Sequence, residues 1–373
     1  MTRTDYMELA VPGVRGLQPY QPGKPLAELE REYGIRDAVK LASNENPLGP
    51  GALAVAAARE VLTGLSRYPE SSGYLLAGRL AGIHAVSPAA ITLGNGSNDV
   101  LDMIARVFLG PGVEAVYSQH AFAVYPIVVQ ATGATARVAP AADGSTGPAY
   151  GHDLAAMAAL VGPETRLVFI ANPNNPTGTW LNASELRAFV DDLPAHVMVV
   201  IDEAYYEYVE EADYPDSSQW LAECPNLIVT RTFSKAYGLA GLRVGYAVSH
   251  PQVADLLSRV RHPFNVNTVG QAAALAALDD SRHLEETLRV NRAGMAQLVS
   301  GFGRLGLSCI ESVGNFVAVD VGRPAAPVYE GLLQNGVIVR PVANYDMPNH
   351  LRVTIGLSAE NARLLAALEK VLA

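Results

Sequence analysis

The stretch Thr230-Arg-Thr-Phe-Ser-Lys-Ala-Tyr-Gly-Leu-Ala-Gly-Leu-Arg-Val-Gly-Tyr246 places one amine, Lys235, among small and apolar neighbours. An ammonium group there loses solvation, its pKa falls, and the neutral amine becomes a usable nucleophile. Thr232, Ser234 and Arg243 flank it, two hydroxyl donors and a guanidinium fork that can converge on one phosphate. A carbonyl compound that also carries a phosphate would engage both halves, and pyridoxal 5'-phosphate is such a compound. A second stretch suits the same chemistry. His196-Val-Met-Val-Val-Ile201 reads as a buried strand that delivers Asp202-Glu-Ala-Tyr205. A carboxylate at the end of an apolar strand needs a charged partner. A protonated pyridine nitrogen is such a partner, and Asp202 would keep the ring an electron sink.

Other short motifs lie at the ends of predicted strands. Ala90-Ile-Thr-Leu93 runs into Gly94-Asn-Gly-Ser-Asn-Asp99, after which Val100, Leu101, Ile104, Val107 and Phe108 recur at helical spacing. Strand, glycine turn and helix start make an anion site at Gly96, Ser97 and Asn98. Asp99 stands where a dinucleotide fingerprint needs its third glycine, which argues against an NAD-binding dehydrogenase. A strand at Val113 to Tyr117 precedes Phe122. The apolar run Arg166 to Ala171 ends in Asn172-Pro-Asn-Asn-Pro-Thr-Gly178, and Asn226 to Thr230 leads into the lysine segment. Strands and helices alternate from about 90 to 250, which predicts one doubly wound large domain. Beyond it the pattern predicts a long helix from Val269 through Leu298. Strands at Cys309 to Val321 and Gly336 to Val342 belong to a smaller domain. The expected division is an arm at 1–38 packing on the small domain and a dimer partner, a large domain at 39–255 and a small one at 256–373. The arm holds a Pro/Gly-punctuated segment and a short helix from Leu26 to Tyr33.

Composition narrows the function classes. The chain has 373 residues, 49% hydrophobic and 17% charged, enough for a sizeable core. A net charge of −10 disfavours nucleic acid as a partner, although a local arginine pocket can still take anions. Two isolated cysteines and eight scattered histidines fit no metal spacing, and no apolar run is long enough to span a membrane. Without a signal peptide, these features point to the reducing cytosol.

Together the motifs resemble the fold-type I pyridoxal-phosphate-dependent aminotransferases, from about residue 12 to the C-terminus. The resemblance implies an α/β fold, a large domain with a mostly parallel sheet flanked by helices plus a smaller α+β domain. It implies that Lys235 carries the cofactor and moves the substrate proton, and that Asp202 meets the ring nitrogen. Asn175 and Tyr205 would bond the ring oxygen, and Phe122 would stack on the ring. Gly96, Ser97, Asn98, Thr232, Ser234 and Arg243 would hold the phosphate. Tyr68, from Ser66-Arg-Tyr-Pro69, would reach the cofactor phosphate of the neighbouring subunit of a homodimer. Arg352, in Leu351-Arg-Val353, would grip a substrate carboxylate.

Three further stretches look most like the histidinol-phosphate branch of that family. They are Leu17-Gln-Pro-Tyr-Gln-Pro-Gly23, Ala42-Ser-Asn-Glu-Asn-Pro-Leu-Gly49 and Gly336-Val-Ile-Val-Arg-Pro-Val342. The branch implies that Tyr20 and Arg340 bind a substrate phosphate and that Asn44 belongs to the substrate site. It also implies a ping-pong exchange between a small amino donor and a 2-oxo acid, 2-oxoglutarate in the family. An aromatic amino acid aminotransferase would share every cofactor residue. Decarboxylation of a phosphothreonine-type substrate would use the same cofactor, and a regulator would need a DNA-binding segment that residues 1–38 lack.

Overall fold

A computed structural model describes residues 4–145 and 147–373. Seven strands form the central sheet, in the spatial order Ile91–Gly94, Gly245–Ser249, Leu227–Thr232, Met198–Asp202, Thr165–Ala171, Glu114–Ser118 and Thr135–Ala139. Gly245–Ser249 runs antiparallel to both its neighbours, and the other pairings are parallel. The inner strands are apolar throughout because helices cover both faces. Val168, Ile170, Val199 and Ile201 enter one apolar cluster, and Leu167, Phe169 and Val200 enter the other. That alternation is the two-residue period of a strand. The parallel strands therefore open their carboxyl ends along one edge, where Ala171, Asp202 and Thr232 emerge.

A second, antiparallel sheet takes the order Arg340–Pro341, His350–Thr354, Phe316–Asp320 and Ser308–Cys309. The helices Ser281–Arg304, Ala325–Gln334 and Ser358–Leu372 bury their apolar faces on it, around Leu298, Leu332 and Leu364. The helix Leu26–Tyr33 forms where expected and buries Leu29 against Ala42, Leu333 and Ile338. Val39–Lys40 then pairs in parallel with Val337–Ile338. The segment that follows bridges the two sheets. Leu41 O accepts from Thr354 N at 2.9 Å, and Asn46 Nδ2 donates to Ala236 O at 2.9 Å.

Three elements differ from the sequence pattern, one helix and two strands. The helical run predicted from Val269 through Leu298 is two helices, Thr268–Ala277 and Ser281–Arg304. Asp280 divides them, because its carboxylate accepts from His283 N at 3.2 Å and starts a new helix there. The strands predicted at Cys309 to Val321 and Gly336 to Val342 are each split. Ile310 N still donates to Ala318 O, but residues 311–315 leave the sheet, and Val313 N donates to Gly178 O of the large domain. Val337–Ile338 and Arg340–Pro341 join different sheets.

Candidate active site

Lys235 follows the strand Leu227–Thr232 and faces a cavity between the two sheets, with Nζ 3.1 Å from Ser43 O. Burial, aided by the Arg352 charge, pulls its pKa down to about 7. The amine is thus far more available as a base than an exposed lysine.

Asp202 ends the neighbouring strand, beside Ala171 and Thr230 in register. Its carboxylate accepts from Thr230 Oγ1 and from Tyr125 Oη, each at 3.0 Å. Burial pushes its pKa up to about 6, and those two hydroxyl donors hold it back from rising further. Neither Tyr125 nor Thr230 was expected at the site. The signal available in the sequence for Tyr125 was a tyrosine at helical spacing among apolar residues, which when buried must find a partner for its hydroxyl.

The turn after Ala171 is pinned on several sides. Asn172 N donates to Asp202 O at 3.0 Å, Asn172 exchanges bonds with Leu181, and Tyr214 Oη donates to Asn172 O at 2.6 Å. Asn175 is thereby presented to the cavity, where its Oδ1 accepts from Arg352 Nη1 at 2.5 Å. Arg352 Nη2 donates to Ala42 O at 2.6 Å. Its buried Nε has no partner among the described residues. Arg352 is therefore held by neutral acceptors and keeps an uncompensated charge.

The glycine turn is built for close approach. Gly96 adopts φ +87°, and a Cβ there would lie 2.3 Å from Arg243 Nη2. Ser97 opens the helix Ser97–Phe108, and the N–H groups of Ser97 and Asn98 have no acceptor among the described residues. Arg243 Nη1 lies 3.4 Å from Ser234 Oγ. Hydroxyls, free N–H groups and a guanidinium thus converge on one point, the donor set a phosphate requires.

Tyr20, Asn44, Ser97, Asn98, Phe122, Asn175, Thr232, Ser234, Arg243, Arg340 and Arg352 line the same cavity as Lys235, Asp202 and Tyr205. Gly96 lies just behind it, under Arg243. Tyr68 is elsewhere: 81% exposed, its ring stacks on Phe264 at 4.6 Å. One carboxylate, Asp202, faces three guanidinium groups and an amine, so the cavity is cationic in an acidic protein.

The family model for aminotransferase class I and II matches residues 36–368. The chain belongs to the class I and II aminotransferases. This aminotransferase is 59% identical to histidinol-phosphate aminotransferase 2 of Methylococcus capsulatus, over 98% of each chain. It is 58% identical to histidinol-phosphate aminotransferase 2 of Pseudomonas aeruginosa, over 99% of each. Among solved structures, histidinol-phosphate aminotransferase from Sinorhizobium meliloti in complex with pyridoxal-5'-phosphate superposes with a TM-score of 0.89, at 32% identity and 97% coverage of both chains. The aminotransferase has the fold-type I architecture expected from its motifs.

Proposed function

We propose that this enzyme transfers the amino group of L-histidinol phosphate to a 2-oxo acid, 2-oxoglutarate by family, using pyridoxal 5'-phosphate. The observation that carries the substrate is Arg340. It is buried, 8% exposed, yet no carboxylate pairs with it among the described residues, and it faces the cavity of Lys235. Its guanidinium lies 5.5 Å from the ring of Tyr20. A buried unpaired cation in a substrate cavity awaits an anion, and a phosphate ester supplies one. The similarity to histidinol-phosphate aminotransferases supports the same substrate.

The donor set around Gly96 and Arg243 fits the cofactor phosphate, and Asp202 fits a protonated ring nitrogen. When bound, pyridoxal 5'-phosphate supplies the electron sink that acidifies the donor's α-hydrogen. The residues do the rest. Lys235 Nζ would hold the cofactor, and as a free amine it would take the donor's α-proton as general base. Its lowered pKa keeps Nζ receptive near neutrality. Asp202 would stabilise positive charge at the ring nitrogen, and Phe122 would cover a ring face. Asn175 and Tyr205 would meet the ring oxygen. Arg352 grips the carboxylate of the 2-oxo acid, and Arg340 with Tyr20 holds the phosphate.

We also place Tyr68 in the neighbouring subunit's site. Its distance from its own cavity supports that reading, as do the exposed apolar side chains Leu62, Leu65, Tyr74 and Leu75 on the same stretch of chain. We propose with it a division into an arm at 1–38 and domains at 39–255 and 256–373, tied together across those bounds by the pairing of Val39–Lys40 with Val337–Ile338 and by Ala273, Ala274 and Ala277, which share an apolar cluster with Leu76 and Leu80.

The test is a single-turnover half-reaction. The cofactor-loaded protein is mixed separately with L-histidinol phosphate and L-phenylalanine, and loss of the visible absorption is followed. Histidinol phosphate is expected to react much faster, and Arg340→Gln to remove that advantage. Preferential reaction of phenylalanine would overturn the substrate assignment.

A further inference from the structure

Asn44 and Tyr205 meet in a hydrogen bond whose direction is set by a third residue. The Asn44 side chain is 1% exposed and touches two hydroxyls: Tyr205 Oη is 2.8 Å from Nδ2, and Thr354 Oγ1 is 3.1 Å from Oδ1. A hydroxyl can donate or accept, so either contact alone would suit either orientation of the amide. Thr354 decides between them. Its Oγ1 already accepts the backbone N–H of Asn44 at 2.9 Å, and the residue is buried, so its proton needs an acceptor. Among the described residues the acceptor it finds is Asn44 Oδ1. The Asn44 NH2 group must then face Tyr205, and Tyr205 Oη must accept.

A phenol that accepts on one side has its own proton free for another. Burial pushes the Tyr205 pKa up to about 12, so the proton stays on the oxygen. Asn44 is the hydroxyl's hydrogen-bond partner among the described residues, and Tyr205 lines the cavity. Asn44 itself has little room to turn. Its carbonyl accepts from Asn315 Nδ2 at 3.0 Å, and its backbone sits at φ +54°, which asparagine tolerates better than most residues.

We infer that Asn44 is a positioning residue: together with Thr354 it makes Tyr205 a hydrogen-bond donor into the cavity, toward the ring oxygen of the cofactor. It acts through Tyr205, with its side-chain amide committed to protein partners. The inference rests on the cavity being the pyridoxal-phosphate site proposed above. A donor at that oxygen favours its anion, which lowers the pH midpoint at which the bound cofactor changes colour.

The experiment is a spectrophotometric pH titration of the cofactor-loaded protein. In Asn44→Asp the side chain has acceptors alone, Tyr205 turns its proton toward it, and the cavity oxygen loses its donor. The midpoint is expected to rise by about one to two pH units. The added charge also raises it, so the same substitution is made in a Tyr205→Phe background, where the charge contribution is all that remains. Thr354→Val is neutral and nearly isosteric. It frees the amide to turn, and a smaller rise is expected. A larger shift for Asn44→Asp with Tyr205 present than absent, and a rise for Thr354→Val, support the inference. Equal shifts in both backgrounds, or an unchanged midpoint in Thr354→Val, overturn it. If Asn44→Asp does not fold by circular dichroism, Thr354→Val carries the decision. Wild-type protein that shows no visible band after addition of pyridoxal 5'-phosphate overturns the cofactor assignment instead.

Discussion

Asp202 is held by two hydroxyls that come from 28 and 77 residues away in sequence. Tyr125→Phe keeps the ring, which stacks on Phe169 at 4.8 Å, and removes one donor to the carboxylate. The expected loss is about 1 kcal/mol, or roughly fivefold in cofactor affinity, read by equilibrium dialysis of pyridoxal 5'-phosphate. Asp202→Asn should lower kcat/KM on the order of a hundredfold or more while circular dichroism stays native, since no charge then faces the ring nitrogen. Lys235 gives a pH prediction. Its amine is neutral above its folded pKa of about 7, so capture of the cofactor by cofactor-free protein should quicken as pH rises through 7 and then level off. A rate still climbing toward the ordinary lysine range in stopped-flow absorbance would contradict the burial argument. Lys235 and Asp202 were legible in the sequence because each is a charge set among apolar residues. Tyr125 and Thr230 were not, because their role exists only once three strands and a helix are side by side. Asn44 was assigned to the site from its motif. Its partner Thr354, 310 positions away, left no local trace.

The strand ends that present the catalytic groups are themselves braced from behind. Arg231 donates through Nε and Nη2 to Glu203 Oε2 at 2.9 and 2.7 Å, and through Nη2 to Asp216 at 2.7 Å. Its guanidinium lies 3.4 Å over the ring of Tyr206. Glu203 and Arg231 each adjoin a residue of the Asp202–Thr230 pair, so the ion pair ties the two strands together where they deliver the site. Glu203→Ala leaves the buried guanidinium with Asp216 as its one remaining carboxylate partner and should destabilise the protein by about 2–3 kcal/mol in denaturant titrations. A loss below 1 kcal/mol would show the bracket to be dispensable. The buried strands were readable as apolar runs. Thr135–Ala139 was not, because this edge strand is largely exposed and mixes Thr and Arg with small residues. Gly245–Ser249 is five residues long, and its first two residues lie inside the glycine-rich lysine segment, which hides where the strand begins. The break at Asp280 escaped because helical periodicity continues on both sides of it.

At the scale of the whole molecule, the position of Tyr68 bears on how sites are shared. If it completes the partner's site, two defective chains can repair one another. A dimer of one Lys235→Ala chain and one Tyr68→Ala chain holds one native site, because intact Lys235 and intact Tyr68 then meet across the interface. Mixed dimers, separated by differential tags, should show about half of wild-type activity on dilute substrate, far above either homodimer. Activity no higher than that of the Tyr68→Ala homodimer would place Tyr68 at its own subunit's site. Sequence motifs supplied Tyr68 and its expected destination, and the single chain supplies its absence from the local cavity.

The pairing of Val39–Lys40 with Val337–Ile338 bears on the order in which the enzyme comes into being. The large sheet joins residues 91 to 249 and can consolidate while the chain is still being made. The cavity cannot, because its wall at 42–44 is tied to residues 352 and 354, across 310 positions. Contacts of such separation close late and slowly. A nascent chain halted short of residue 350 would carry Lys235 and Asp202 in a folded sheet but lack the wall that shelters them. Completion of the C-terminal strand is thus the event that turns a lysine open to solvent into a selective one.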